Sequence, residues 1–203
     1  MGIAILAGVS LAQNGQLRDM EALRELGIKA RADRRKLFEL LAKGQLREAL
    51  EHQTTVIEPR LGVGQNSSTR RDLAFELGDF VEADRQNELS RKLIAGISPS
   101  ERMRTLMDFQ QELIRAEKGG YVIDWSRFEE THTEELKAIK LLPGMASVAI
   151  KHFRFRFAER ALTEYERLVP AIMSRALRAE LAERKELQRK IIRDEADIPE
   201  GSW

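Results

Sequence analysis

Residues 44–49, Gly-Gln-Leu-Arg-Glu-Ala, lie between two amphipathic segments and decide the fold class. Before them, from Leu17 to about Lys43, leucines and alanines recur mostly at three- and four-residue steps, which is the period of a helix. Gly44 suits the left-handed position at a helix end, and a second helical pattern runs from about Leu46 to Ile57, before Pro59. A helix, a glycine turn and another helix predict a helical hairpin.

The same pattern continues and predicts an all-α fold of stacked antiparallel helical hairpins, followed by a long kinked C-terminal helix. The hairpins are expected in residues 17–142 and the long helix in residues 143–196, after a break at Pro143-Gly144. Pro170 is expected to kink the long helix, because proline removes a backbone hydrogen bond. Residues 1–16 form a separate apolar segment, and residues 197–203 are expected to be a frayed tail.

Local signals predict where several helices begin and where the chain loops. Ser98 is expected to cap a helix, with Pro99 at its first position and Glu101 completing a capping box. Asp124 is expected to cap a helix from Trp125 to Leu142. The glycine- and serine-rich stretch from Arg60 to Ser68 predicts an exposed loop.

The hexapeptide at 44–49 recurs in variant form at residues 78–83, Gly-Asp-Phe-Val-Glu-Ala, an offset of 78 − 44 = 34. This is the period of tetratricopeptide repeats, and residues 33–95 resemble two hairpins of that family. The chain departs from the family pattern at positions where small residues are usual, which are Leu37, Val56, Arg71 and Ser90. No ligand-contacting residue of the family carries over.

Composition excludes some classes of function. The 203 residues include 34 basic and 33 acidic side chains, and a net charge of +1 gives no whole-protein field for nucleic acid or anionic lipid. The absence of cysteine excludes disulfides and thiolate metal sites.

The first twelve residues, Met1 to Ala12, are apolar and uncharged, and they are too few to span a bilayer. They resemble the later part of a secretory signal, with a cleavage site at Ser10-Leu11-Ala12 but no basic start. The segment is therefore either a signal or membrane anchor, or else a first core helix or an apolar end docked on a neighbour. The location stays open, with the cytoplasm preferred over the periplasm or a membrane anchor.

Residues with catalytic or metal-binding potential do not form a recognised set. The pair Glu129 and His132 has the Glu-x-x-His spacing of di-iron bundles, but such bundles need two of these motifs. No serine-nucleophile or phosphate-loop motif occurs. We therefore expect no enzyme activity, no metal and no cofactor.

Basic side chains near the C-terminus are the candidate partner-binding residues. Lys151 to Phe157 alternates basic and aromatic residues, as single-stranded nucleic-acid sites do, although four-residue steps also predict an ordinary core helix there. The last helix carries a local excess of positive charge. The candidates are Arg154, Arg156, Arg160, Arg184, Lys185 and Arg189.

These observations predict a non-catalytic helical scaffold or protein–protein interaction module with another protein as partner. The first alternative is an exported or envelope-anchored helical protein, such as a periplasmic chaperone or sensor domain. The second is a nucleic-acid-binding helical protein. The sequence does not determine the oligomeric state.

Overall fold

The predicted all-α fold is confirmed. The computed structural model describes residues 24–61, 63–96, 99–130 and 133–199, and these contain no β-strand. The helices are α1 (residues 24–42), α2 (Leu46–His52), a π-helical turn (Gln53–Ile57), α3 (Glu58–Leu61), α4 (Val63–Leu77), α5 (Phe80–Ala95), α6 (Glu101–Gly119), α7 (Ser126–Glu129), a 3-10 turn (Glu134–Leu136), α8 (Ala138–Lys151), α9 (Phe155–Leu168), a second 3-10 turn (Ala171–Met173) and α10 (Arg175–Ile192).

Helices that follow each other along the chain pack together, notably α4 with α5, α5 with α6 and α8 with α9. A regular stack of antiparallel hairpins stays a prediction. Within the described part of the chain, no helix is both long enough and apolar enough to cross a membrane. The apolar segment at residues 1–16 lies outside the described residues.

The two repeated hexapeptides form turns of the same geometry. Gly44 has φ +69° and Gly78 has φ +81°. In each turn the glycine N–H donates to a carbonyl three residues back at 3.0 Å, and the next N–H donates to one five residues back at 2.9 Å. This is the Schellman pattern of helix ends. Ala49 and Ala83, five residues after the glycines, are fully buried.

A third turn of this kind joins α8 to α9, with Phe153 in the place of glycine. Phe153 has φ +57°; its N–H donates to Ile150 O at 3.1 Å, and Arg154 N–H donates to Ala149 O at 2.9 Å. Ala158, five residues on, is again fully buried. The sequence did not predict this turn, because a phenylalanine with positive φ is uncommon.

Substitution of the two turn glycines should measure the cost of positive φ. Gly44→Ala has only ordinary contacts, the nearest being Gln188 Nε2 at 3.7 Å, and a Cβ on Gly78 meets only the Arg156 guanidinium, the end of a flexible side chain that can move aside. We therefore expect each substitution to cost about 1–2 kcal/mol of unfolding free energy. Urea denaturation measures both. A much larger cost for Gly78→Ala, removed when Arg156 is also changed to Ala, would contradict this expectation.

One hydrophobic core joins the two domains that the sequence predicted. It extends from Ala74 and Phe75 in α4 to Leu181 in α10, and Leu142 and Met145 belong to it together. The boundary at residue 142/143 is therefore wrong. It falls inside α8, which begins at Ala138 and contains Pro143. Pro143 lies in the second turn of α8, where the helix loses one hydrogen bond without ending.

The single long C-terminal helix is also wrong, because residues 143–196 form the end of α8, then α9 and α10. The turn at Phe153 separates α8 from α9. Pro170 ends α9 rather than kinking it, since Val169 before it is extended at φ −138°, ψ 159°. Nor is the tail wholly frayed, as Ile198 packs against the hydrophobic cluster that contains Phe153 and Ile191. Residues 200–203 lie outside the described part.

Three local predictions were wrong, two of them for reasons of tertiary packing. The expected loop at Arg60–Ser68 is helical from Val63, and buried Ser67 shares a 2.6 Å hydrogen bond with Ser90 of α5. The cap of α6 is Ser100, whose Oγ accepts Met103 N–H, and Ser98 lies outside the described residues. The helix expected from Trp125 to Leu142 is interrupted, because Trp125 is buried with its indole N–H on Glu164.

A candidate ligand cavity

A cavity of about 330 Å³ lies between α1, the π-helical turn, α4 and the turn from α8 to α9. Ligand sites of about 300–1,000 Å³ are typical of proteins that bind small molecules. We call it the Gln53 cavity. Its lining residues are Arg34, Leu37, Phe38, Leu41, Gln53, Ile57, Thr69, Asp72, Leu73, Glu76, His152 and Arg154.

Gln53 is the unusual residue of this wall. It is only 1% exposed, and neither its Nε2 nor its Oε1 has a hydrogen-bond partner within the described chain. Buried polar side chains nearly always have a partner. An unpaired buried amide costs roughly 1–3 kcal/mol. The cavity wall therefore contains an amide whose hydrogen-bonding capacity is unused.

Local sequence explains the π-helical turn that Gln53 begins. The hydroxyls of Thr54 and Thr55 donate to the carbonyls of Leu50 and Glu51, at 3.0 and 2.8 Å. Pro59 has no N–H to donate to the carbonyl of Thr55. Competing bonds and a missing donor favour one widened turn, a feature common at functional sites. The helix thus continues through Pro59, and the predicted end before Pro59 is wrong.

Glu76 of α4 caps the N-terminus of α9 from across the cavity. Its two carboxylate oxygens accept the backbone N–H groups of Arg156 and Phe157, each at 2.9 Å. These are among the first N–H groups of α9, which have no partner inside the helix. The residue at the N-cap position, Arg154, supplies no side-chain cap. A cavity side chain therefore stabilises the α8–α9 turn.

Burial raises the pKa of Glu76 to about 7. The two backbone N–H groups and the positive charge of Arg154 oppose this rise, and the charge of Asp72 adds to it. Burial also lowers the pKa of His152, helped by the positive charges of Arg154 and Lys151. Glu76 consequently changes charge near neutral pH, beside the cavity.

Two other charged groups of the wall, Asp72 and Arg154, are paired inside the protein. Arg154 donates to Asp72 Oδ2, and Arg71 donates to Asp72 Oδ1 at 2.8 Å. Arg71 also donates to Asn87 and Gln110, at 3.1 and 2.7 Å, which links α4 to α5 and α6. This network holds the wall in place and compensates the charge of Asp72.

A larger depression of about 890 Å³ lies between the end of α5 and the start of α6. Its lining includes charged groups such as Arg91 and Asp108, which pair with each other at 2.6 Å. Among its described lining residues, no buried side-chain polar atom lacks a partner. The Gln53 cavity is therefore the better candidate site.

The structure does not gather the six predicted partner-binding residues into one site. Arg154 alone lines the Gln53 cavity. The others lie along α9 and α10, and each contacts a group of the same chain. Arg156 lies over Phe80, Arg160 pairs with Glu117 and Glu164, Arg184 donates to Lys151 O and lies over Phe153, Lys185 pairs with Glu159, and Arg189 pairs with Glu186.

Sequence reasoning missed Gln53 and Glu76. The four β-branched residues that follow Gln53, together with Pro59 after them, were a usable sign of an irregular helix. Glu76 gave no sign, because its partners Arg156 and Phe157 are about 80 residues away. Only the fold brings them together.

The described residues hold no group of three or more His, Asp or Glu side chains placed to bind a metal ion. His132 of the Glu-x-x-His motif lies outside them. No family model, no curated protein and no solved structure matches this chain.

Proposed function

We propose that this chain is a non-catalytic helical binding protein that holds a small molecule in the Gln53 cavity. The observation that carries the proposal is the buried Gln53 amide without a partner. Neither amide atom is exposed to the cavity in this structure, so a ligand would complete the hydrogen bonds of Gln53 once this side chain turns toward it. The proposal keeps the binding role predicted from the sequence, with a small molecule in place of the protein partner.

The surroundings of Gln53 support a binding site over a packing defect. The wall contains five large buried apolar side chains: Leu37, Phe38, Leu41, Ile57 and Leu73. The wall is also braced by the Glu76 cap and the Asp72–Arg154 pair. A site held by such contacts loses little freedom when a ligand binds.

A fragment screen by protein-observed NMR tests this function. We expect bound fragments to shift the resonances of cavity residues such as Ile57 and Leu73, and Gln53→Met to weaken their binding. Gln111→Met is the matched control, because Gln111 is an equally buried glutamine of α6 outside the cavity. Fragments that bind only elsewhere would contradict the proposal. Turnover of a bound fragment would contradict the non-catalytic role.

The unpaired amide of Gln53 should also destabilise the protein in the absence of a ligand. Gln53→Met keeps the side-chain shape and removes an unpaired amide, so we expect unfolding free energy to rise by roughly 1–2 kcal/mol. Gln111→Met should lower it by roughly 1–3 kcal/mol, because Gln111 bonds Asn87 at 2.7 Å and also bonds Asp84. Urea denaturation without ligand measures both. A destabilised Gln53→Met protein would show that Gln53 already has a partner.

A further inference from the structure

We propose that the depression between the end of α5 and the start of α6 is a docking surface for an acidic amphipathic helix of a partner protein. We call it the α5–α6 depression, and its volume is about 890 Å³. It shares no described lining residue with the Gln53 cavity, so the two sites are independent. Three features of the surface support a docking role: its cations, its apolar floor and its open shape.

Two cations of the α5–α6 depression have no acidic partner within the described part of the chain. They are Lys92, in the last turn of α5, and Arg104, near the start of α6, and both are exposed. The two acids among the described lining residues are already paired with arginines, Asp108 at 2.6 Å and Glu88 at 3.4 Å. The depression therefore carries positive charge that its own acids do not compensate. A negatively charged partner complements this charge.

The other described lining residues form an apolar floor, which consists of Ile94, Ala95, Pro99 and Met107. Met107 is 7% exposed, and Ile94 and Pro99 are half-buried. A methionine side chain is flexible and polarizable, so it adapts to the shape of an apolar side chain that packs on it. Apolar side chains of a partner gain by leaving water for this floor. The described lining contains no aromatic ring on which nucleic-acid bases stack, which favours a protein partner.

The shape of the α5–α6 depression suits a helix better than a small molecule. Five of its nine described lining residues are exposed, so the surface is open. A small-molecule site usually covers roughly 70–90% of its ligand, which an open surface does not do. A partner helix presents residues three and four apart on one face. Its apolar residues can lie on the floor while acidic residues beside them pair with Lys92 and Arg104.

Two synthetic helical peptides of equal length test the docking surface. Both carry leucine at positions i, i+3, i+4 and i+7, and the other positions carry glutamate in one peptide and lysine in the other. Fluorescence polarisation with the whole chain measures both dissociation constants, and methyl NMR shifts of Ile94 and Met107 locate the binding. We expect the glutamate peptide to bind at least about tenfold more tightly, because it gains two ion pairs where the lysine peptide meets two like charges.

Charge reversal of the two cations should reverse this preference. We expect Lys92→Glu/Arg104→Glu to bind the lysine peptide more tightly than the glutamate peptide. Lys140→Glu/Arg175→Glu is the matched control, because it changes the net charge equally at exposed cations of α8 and α10 outside the depression. The control should keep the wild-type order. If the first double variant does not fold, Lys92→Gln/Arg104→Gln replaces it and should bind the two peptides with similar affinity.

Four results would overturn the docking surface. They are equal affinities of the two peptides for the wild-type protein, the same reversal in the control variant, NMR shifts confined to methyl groups elsewhere, and a single-stranded DNA oligonucleotide that displaces the glutamate peptide. The last result would identify the depression as a nucleic-acid site. None of the four bears on the Gln53 cavity, which the fragment screen tests separately.

Discussion

As the pH rises from 5 to 8, loss of the Glu76 proton is expected to lower the free energy of unfolding of this protein by about 2–3 kcal/mol. Burial raises the pKa of Glu76 from 4.5 to about 7. The folded protein therefore holds this proton over a range in which the unfolded chain has lost it. The resulting stability is fully present below pH 4.5 and is lost as the pH rises through about 7.

Neighbouring groups do not cancel this effect. Arg154 and Asp72 face Glu76 with opposite charges. His152 works in the other direction, because burial lowers its pKa and its contribution rises with pH up to about 6.5. That contribution is present with or without the Glu76 carboxyl. The comparison of wild type with Glu76→Gln at each pH therefore isolates Glu76.

Urea denaturation at several pH values between 5 and 8 measures the difference. We expect wild type to lose about 2–3 kcal/mol relative to Glu76→Gln over this range. Glu166→Gln is the control, because its hydrogen bonds from Arg178 hold the pKa of Glu166 at about 2. Its difference from wild type should stay constant with pH. A constant difference for Glu76→Gln as well would show that the Glu76 pKa is not raised.

The all-α class was predictable from the helical period of the apolar residues. Two of its turns were predictable from residue type alone, because Gly44 and Gly78 both occupy the left-handed positions that glycine favours. The turn at Phe153 was missed because packing, and not the residue type, holds it. Predicting an unbroken helix through residues 143–196 failed for this reason.

The candidate site was less predictable than the fold. Gln53 sits in an ordinary helical pattern, and its missing partners are visible only once the walls around it are placed. Arg154 was predicted as a cation that binds an external partner. In the structure it pairs with Asp72 of the same chain. The contact between Arg154 and Asp72 spans 82 residues of sequence. Binding by a protein or nucleic-acid partner stays a prediction.

Phe153→Ala should have the largest effect of any single change considered, a loss of about 3–5 kcal/mol in unfolding free energy. Phe153 is 2% exposed. Its ring centre lies 5.6 Å from that of Phe38 and 6.0 Å from that of Phe155, and the Arg184 guanidinium lies 4.1 Å from it. These contacts hold together the cluster that joins α1, the α8–α9 turn and α10.

Phe153→Gly distinguishes the ring from the backbone. It removes the same ring but relieves the positive φ of +57°, which costs an L-residue about 1–2 kcal/mol. We therefore expect the Gly variant to be about 1 kcal/mol more stable than the Ala variant. Phe109, which is buried in the interior of α6, is the matched control. There the Phe109→Gly variant should be about 1 kcal/mol less stable than the Phe109→Ala variant, because glycine is a poorer helix former.

Urea denaturation of the four variants shows whether the glycine variant is the more stable one at residue 153 and the less stable one at residue 109. The same order at both would mean that Phe153 is not held in the left-handed region. The reversal matters for the cavity, since His152 and Arg154 flank Phe153 and both line the wall. A strained turn persists only where surrounding contacts stabilise it. Here the Phe153 ring and the Glu76 cap hold the turn, so loss of the ring should also weaken binding in the Gln53 cavity.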